Sequence, residues 1–302
     1  MKCAVVGGAN IDIGGFPGAA AVMEDSNPGR VVRSAGGVGR NIACTLARLN
    51  VDTRLVTALG SDAFARVIRD DCRDAGVDLS SALTFDANSN VYLYIADSAG
   101  DLRLAVSDMA LCGRLTPEAL EAQLPMLNAM DAVVLDANLP KETLAWLAGQ
   151  VHVPLIADAV STAKALRLIP ALPRLHALKP NALEAEALAG IPVTDPASAG
   201  AAARRLLDLG VQQVFVTLGK QGVLCADART SRFIPGPPVR LVNATGAGDA
   251  FTAALAWAQM RGMDLVESTR AGIAAASLTV ESPEAVSRSI TPQVIEQRMQ
   301  SL

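Results

Sequence analysis

A single acid set among glycines is the first chemical feature of this chain. In Asn243-Ala244-Thr245-Gly246-Ala247-Gly248-Asp249-Ala250-Phe251, small residues, a hydroxyl and one carboxylate run into an apolar helix over 250–260. Gly246 and Gly248, with Ala247 between them, permit a tight turn and a close approach of backbone N–H groups, and the N-terminus of the following helix attracts anions. The segment reads as a phosphate site. An acid repels a bound anion, so Asp249 makes chemical sense there as the acceptor of a proton from an attacking hydroxyl. Aspartate is also a favoured helix N-cap, and the segment alone leaves both readings open.

Four other places bring polar side chains to ends of apolar runs. Asn10 and Asp12 follow the strand-like run 3–6 and, two residues apart, point the same way in an extended chain; they suit a diol or an ordinary turn. Gly36-Gly37-Val38-Gly39-Arg40-Asn41 opens a helix reaching 49, and its glycines allow a ligand to come close. Asn181-Ala182-Leu183-Glu184 opens another, whose dipole and Glu184 suit a hydrated magnesium near phosphates, or simply a surface helix start. Thr217 and Gly219 end a strand in a hydroxyl and a glycine, and Asn138 follows Asp136 at a further polar strand end. A dinucleotide fingerprint is disfavoured, because Ile42 and Phe251 stand where a third glycine belongs, and no P-loop occurs.

These groups need a frame that gathers strand ends. Apolar runs at 3–6, 53–59, 132–135, 155–157, 177–178 and 214–218 alternate with helical patterns, which implies a mainly parallel sheet with helices on both faces. Ligands of such sheets bind beyond the C-terminal strand ends. Residues 222–226 and 232–234 read as antiparallel edge strands. Two insertions interrupt the alternation. The first, about 13–34, is glycine- and proline-rich with a turn at Ser26-Asn27-Pro28-Gly29; the second, about 88–112, carries a hairpin signal at Asp97-Ser98-Ala99-Gly100. The expected fold is one α/β domain over 1–302, doubly wound and mostly parallel, with a small β lid made of both insertions.

Composition narrows the function further. The 302 residues are 51% hydrophobic, and 26 basic against 30 acidic residues leave a net charge of −4 without basic clusters. That gives no field for nucleic acid or an acidic membrane. Charges interrupt the most apolar late region, so no membrane-length run exists, and the opening apolar run is too short for a signal peptide. A cytoplasmic location is expected. The five cysteines, Cys3, Cys44, Cys72, Cys112 and Cys225, form no C-x-x-C pair and read as reduced core residues. With only His152 and His176 present and far apart in sequence, acid–base work falls to carboxylates.

Five ordered signatures, Asn10-x-Asp12, Gly36-Gly37-x-Gly39-x-Asn41, Asn181-x-x-Glu184, Thr217-x-Gly219 and Gly246-Ala247-Gly248-Asp249, span essentially the whole chain. Together the sequence resembles the PfkB/ribokinase family of carbohydrate and nucleoside kinases. The resemblance implies a ribokinase-like fold, ATP with Mg²⁺, Asp249 as general base, and the amides of Gly246, Ala247 and Gly248 as an anion hole. It implies nucleotide contacts at Asn181, Glu184, Thr217, Gly219 and Thr245, with Glu184 reaching the metal through water. Sugar contacts fall to Asn10, Asp12, Gly37 and Asn41, and a homodimer forms through the lid; Asn138, at its polar strand end, is a further candidate substrate contact. Many members carry an aspartate where Asn243 stands, which implies a monovalent cation site that is weak at best. Ser26-Asn27-Pro28-Gly29, the segment 36–41, Ser107-Asp108-Met109 and Asn243-Ala244-Thr245 are similar to segments of the family's pseudouridine kinases. That implies a nucleoside phosphorylated at its 5′-hydroxyl, with Asn27, Ser107 and Asp108 offering polar groups to the base. A ribokinase-like sugar kinase, an adenosine-type kinase and a non-catalytic sensor of sugars or nucleosides are the alternatives.

Overall fold

The structure is a computed structural model that describes residues 1–97 and 102–302. Its frame is an eight-stranded sheet in the order Asp52–Val56, Lys2–Val6, Ala132–Asp136, Leu155–Asp158, Ala177–Lys179, Gln213–Thr217, Gly222–Ala226 and Ser231–Pro235. The first six run parallel, and the last two pairings, of Gly222–Ala226 with each of its neighbours, are antiparallel. Strands such as Ala132–Asp136 and Leu155–Asp158 are buried along their whole length, as expected when helices cover both faces of a parallel sheet. One apolar layer packs under the helices Val38–Arg48, Ala247–Met260 and Leu265–Val280. The other lies under Lys141–Gln150, Ala182–Ala189 and Pro196–Asp208. All five cysteines are buried and unpaired. Among the described residues no helix is long and apolar enough to cross a membrane.

Parallel pairing fixes where polar groups collect. Asp136 pairs in register with Asp158, and Asp158 with Lys179, so three charged residues end neighbouring strands in one row. From Lys2–Val6 the chain moves first to one neighbour, Asp52–Val56, and later to the other, Ala132–Asp136. This reversal of winding opens a crevice at the C-terminal strand ends.

A second sheet stands on the first, in the order Gly29–Gly36, Asn10–Pro17, Val91–Ala96 and Leu102–Asp108. Its central pair is parallel and its outer pairs antiparallel. It begins at Asn10 and runs to Gly36, wider than the 13–34 expected from sequence. The glycines that obscured the strand pattern are there for packing: a Cβ on Gly14 would meet the Tyr94 ring at 2.6 Å, and one on Gly15 would meet Ile95 at 2.7 Å. Ser98-Ala99-Gly100 of the expected hairpin turn lies outside the described residues.

Candidate active site

The glycine-led helix Ala247–Met260 decides how Asp249 is used. Its N-cap is Gly246, at φ +84°, and no side chain caps it. A Cβ on Gly246 would collide with the backbone of Ala285, so the left-handed turn and the tight passage both require glycine. Asp249 therefore sits inside the first turn, two residues beyond the first helical position. Its carboxylate is engaged elsewhere: Oδ2 accepts a hydrogen bond of 2.7 Å from Asn41 Nδ2. The capping alternative is thereby removed. The amides of the helix's first turn have no acceptor within the helix; Ala247 N–H makes a long bond of 3.4 Å to Ala244 O just outside it.

The row of strand-end charges makes the floor. Lys179, 5% exposed, pairs with Asp158 at 2.9 Å and reaches Gly248 O at 3.4 Å. Asp158 also accepts from the Thr252 hydroxyl at 2.7 Å and from Val160 N–H at 2.9 Å. A Cβ on Gly248 would stand 2.9 Å from Lys179 Nζ, so the glycine lets the ammonium lie directly beneath the turn. Loss of hydration, reinforced by Asp158 and Asp136, pushes the Asp249 carboxyl up to about 7, against the pull of Asn41 and Lys179. Burial works against the charge on Lys179, but Asp158, Glu184 and Asp249 outweigh it and hold the ammonium above its ordinary value. A carboxylate poised near neutrality suits a general base.

The crevice wall comes from the first strand's end. Gly8 N–H and Asn138 N–H each donate to buried Asp136 at 2.8 Å. Asn138 is buried and its Oδ1 accepts from Lys164 Nζ at 2.6 Å. Gly37, the N-cap of Val38–Arg48 at φ +99°, packs where a Cβ would lie 2.5 Å from Gly8 O. That contact brings Asn41 over Asp249. Asn10 Nδ2 donates to Asp12 Oδ1 at 2.7 Å. Burial raises the Asp12 carboxyl, with Asn10 and then Arg40 opposing it.

On the nucleotide side, Asn181 and Glu184 form a reciprocal capping box at the start of Ala182–Ala189. Asn181 N–H donates to Glu184 Oε2 and Asn181 Nδ2 to Oε1, both at 2.8 Å. Thr217 N–H bonds Pro180 O at 2.9 Å, which sets Thr217 beside Asn181. Gly219, at φ +57°, faces open space. Thr245 is exposed, and its N–H donates to Asn243 Oδ1 at 2.9 Å. Among the described residues no group of three or more His, Cys, Asp or Glu could hold a metal ion. One buried acid with each oxygen already accepting a hydrogen bond fits a magnesium ion that keeps its waters and rides on phosphates.

Two regions named from sequence fare differently on the small sheet. Ser107 pairs with Tyr92 and Tyr92 with Asp12, so all three side chains share one face; Asp108 is exposed next to Ser107. Asn27 is not with them. The strand pair carries the chain from Asn10 to Pro17 before its turn, about 24 Å at about 3.4 Å per residue. There Asn27 bonds only its own loop, with Val22 N–H, Val22 O and Asp25 O. Sequence reasoning singled out neither Lys179, Asp158 nor Arg40; the visible signal was that the first two each end a parallel strand.

A crevice beyond parallel strand ends, a helix N-terminus with a raised carboxyl in its first turn and a capping box at a neighbouring strand end suit phosphoryl transfer. The chain belongs to the pfkB family carbohydrate kinases, whose family model matches residues 1–292, and it is a kinase. It is 34% identical to the pseudouridine kinase of Escherichia coli over 269 residues, covering 88% of this chain and 86% of that one. A carbohydrate kinase from Agrobacterium tumefaciens superposes with a TM-score of 0.88 at 33% identity, covering 99% and 97% of the two chains. The Arabidopsis thaliana ribokinase complexed with ribose and ATP superposes at 0.91 with 26% identity, covering 99% and 98%. The ribokinase-like fold expected from the sequence is the fold observed.

Proposed function

We propose that this kinase transfers the γ-phosphoryl group of ATP to the 5′-hydroxyl of pseudouridine. The observation that carries the phosphoryl transfer is Asp249, its carboxyl raised to about 7 and held by Asn41, in the first turn of the uncapped helix Ala247–Met260, whose Ala247 N–H makes only a long bond of 3.4 Å to Ala244 O. Asp249 accepts the hydroxyl proton as the oxygen attacks, and the amides of Gly246, Ala247 and Gly248 stabilise the charge on the moving group. Lys179, beneath Gly248, adds a buried positive charge to the same place. Magnesium supplies charge neutralisation on the phosphates, and Glu184 is the residue that would hold it through water. Asn181, Thr217, Gly219 and Thr245 line the nucleotide side.

The substrate reading rests on the likeness to the Escherichia coli pseudouridine kinase and on the lid segments. Asn10, Asp12 and Asn41 suit ribose hydroxyls, with Gly37 giving them room and Asn138 beyond. Ser107 and Asp108 share the small sheet's end with Asp12 and suit a nucleobase; Asn27 reaches one only if its loop or a second copy brings it there. An acceptor that pairs with N1–H of the C-linked base is left unpaired by uridine, which costs about 1–3 kcal/mol. A second reading, a ribokinase-like sugar kinase, draws on the likeness to the ribokinase complexed with ribose; an adenosine-type kinase is the remaining alternative, and membership of the kinase family sets aside a sensor without catalysis.

The small sheet acts as a lid in this reading. Val31, Leu93, Leu104 and Val106 share its outer face and are 74%, 41%, 62% and 57% exposed, an apolar surface suited to pairing with a second copy in a homodimer. The unpaired buried cysteines suit the reducing cytoplasm. The test is kcat/KM at fixed Mg-ATP for pseudouridine, uridine, adenosine, ribose and fructose. Pseudouridine leads under this proposal; ribose or fructose ahead by tenfold refutes the nucleoside, and uridine equal to pseudouridine refutes the base contact.

A further inference from the structure

Arg40 is a buried cation with an unusual set of partners. It is 6% exposed, and its NH1 donates to Asn41 Oδ1 at 2.7 Å and to Ala35 O at 3.2 Å. Its NH2 forms an ion pair with Asp71 on the helix Ala63–Asp74. A carboxamide has one accepting end and one donating end, whereas a guanidinium only donates. Arg40 can therefore engage only the oxygen of Asn41, which turns the nitrogen toward Asp249 Oδ2, 2.7 Å away. A reversed amide would set N–H₂ against the guanidinium and oxygen against the carboxylate, losing both bonds at once.

We infer that Arg40 is a positioning residue: anchored by Asp71, it fixes which end of the Asn41 amide faces the proton acceptor. The inference rests on the reading of Asp249 as that acceptor. The other charged groups facing Asp249 are Asp158, Lys179 and Asp136, at the ends of three sheet strands. None belongs to the helix Val38–Arg48 that carries Arg40 and Asn41, so a change at Arg40 leaves them in place. Free to rotate, the Asn41 amide would withdraw its donor for part of the time, and the carboxylate would hold its proton to higher pH.

The test is a titration of the Asp249 carboxyl in the full-length protein, followed by ¹³C NMR with carboxyl-labelled aspartate; the resonance is the one lost in Asp249→Asn. Arg40→Gln is expected to raise the midpoint by about 0.5–1 pH unit, the size of one weakened hydrogen bond. Asp71→Asn raises it by less, and Arg40→Lys, which keeps a donor, restores part of the shift. In an Asn41→Ala background, Arg40→Gln produces no further shift. A merely structural Arg40 would leave the midpoint unmoved in variants that melt cooperatively, or move it equally with and without Asn41; either result overturns the inference. Where Arg40→Gln does not fold, an unmoved midpoint in Asp71→Asn does the same. Failure of the kinase reading is distinct: no phosphorylated product forms from any acceptor, while the titration still reports on Arg40.

Discussion

The floor of the crevice and the small sheet above it are built on opposite principles. On the floor, Asp136, Asp158 and Lys179 are at most 5% exposed, and each has its partners within the chain. On the small sheet, Ser107 and Asp108 are exposed, Asn27 bonds only its own loop, and large aliphatic side chains face outward. A rigid, charge-dense floor is complete before substrate arrives, which is how a site holds dipoles where charge will develop without reorganising. The small sheet carries Asp12 and Ser107 on one face, with Asp108 and the exposed Leu93, Leu104 and Val106 on the other, a surface that the proposed function assigns to substrate and a second copy. In the proposed function, chemistry is accordingly set beside the floor and selectivity is assigned to the small sheet.

The sharpest way to break this comparison is at Asp249. Asp249→Asn preserves shape and the contact region of Asn41 but removes proton acceptance, so kcat should fall by about 10²–10⁴. Thermal melting and ATP binding should stay close to wild type. Turnover near the wild-type rate would mean that the floor does not supply the base.

The next effect is on stability. Lys179→Met leaves Asp158 buried without its ion pair and Asp249 without a nearby cation, and stripping one partner from such a pair costs about 3–5 kcal/mol. A substitution on the exposed face of the small sheet, such as Val106→Thr, should stay within about 0.5 kcal/mol in the monomer. Urea unfolding of both variants reads the contrast directly. Equal losses would erase the distinction between a prewired floor and an unfinished lid.

Acidification probes the floor more gently. The raised carboxyl of Asp249, at about 7, is protonated below that pH, and only the ionised form accepts a proton. Activity should therefore rise with pH through about 7 and, well below that midpoint, fall about tenfold for each unit of acidification. A pH profile of kcat/KM checks it; a flat profile from pH 5 to 8 would contradict the assignment of Asp249 as base.

How much of this was legible depends on the range of the interaction. Gly246-Ala247-Gly248-Asp249 announced itself because turn, amides and acid are contiguous, but whether Asp249 caps the helix was undecidable from that segment: the answer came from Asn41, 208 residues away. Asn181 and Glu184 stood out for a local reason, that they open a helix within one turn of each other; the structure joins them in a capping box at that helix start, which was not expected from the sequence. Lys179 was given no role because its partner Asp158 lies on the neighbouring strand, and strand pairing is not visible in the local sequence. Asn27 was grouped with the substrate contacts on segment similarity alone, and strand length then carried its loop away from Asn10. Contiguous chemistry is readable in sequence, whereas pairings across strands and distances along a hairpin are not.

The smallest expected effect concerns monovalent cations at Asn243. An aspartate would offer a charged oxygen; the amide here offers a neutral one, and it is already committed. Oδ1 accepts from Thr245 N–H at 2.9 Å, and Nδ2 donates to Pro283 O at 3.1 Å, so the side chain ties two segments together and engages a backbone carbonyl. Hard cations bind oxygen ligands, and more strongly as the charge of those ligands rises. Replacing Na⁺ by K⁺ at constant ionic strength should thus change kcat by less than about twofold, while Asn243→Asp should increase the response to K⁺. The measurement is a K⁺ titration of both proteins against a Na⁺ control. Steep activation of the wild type would show that backbone carbonyls suffice for the cation, and would move this loop from passive support into the prewired part of the site.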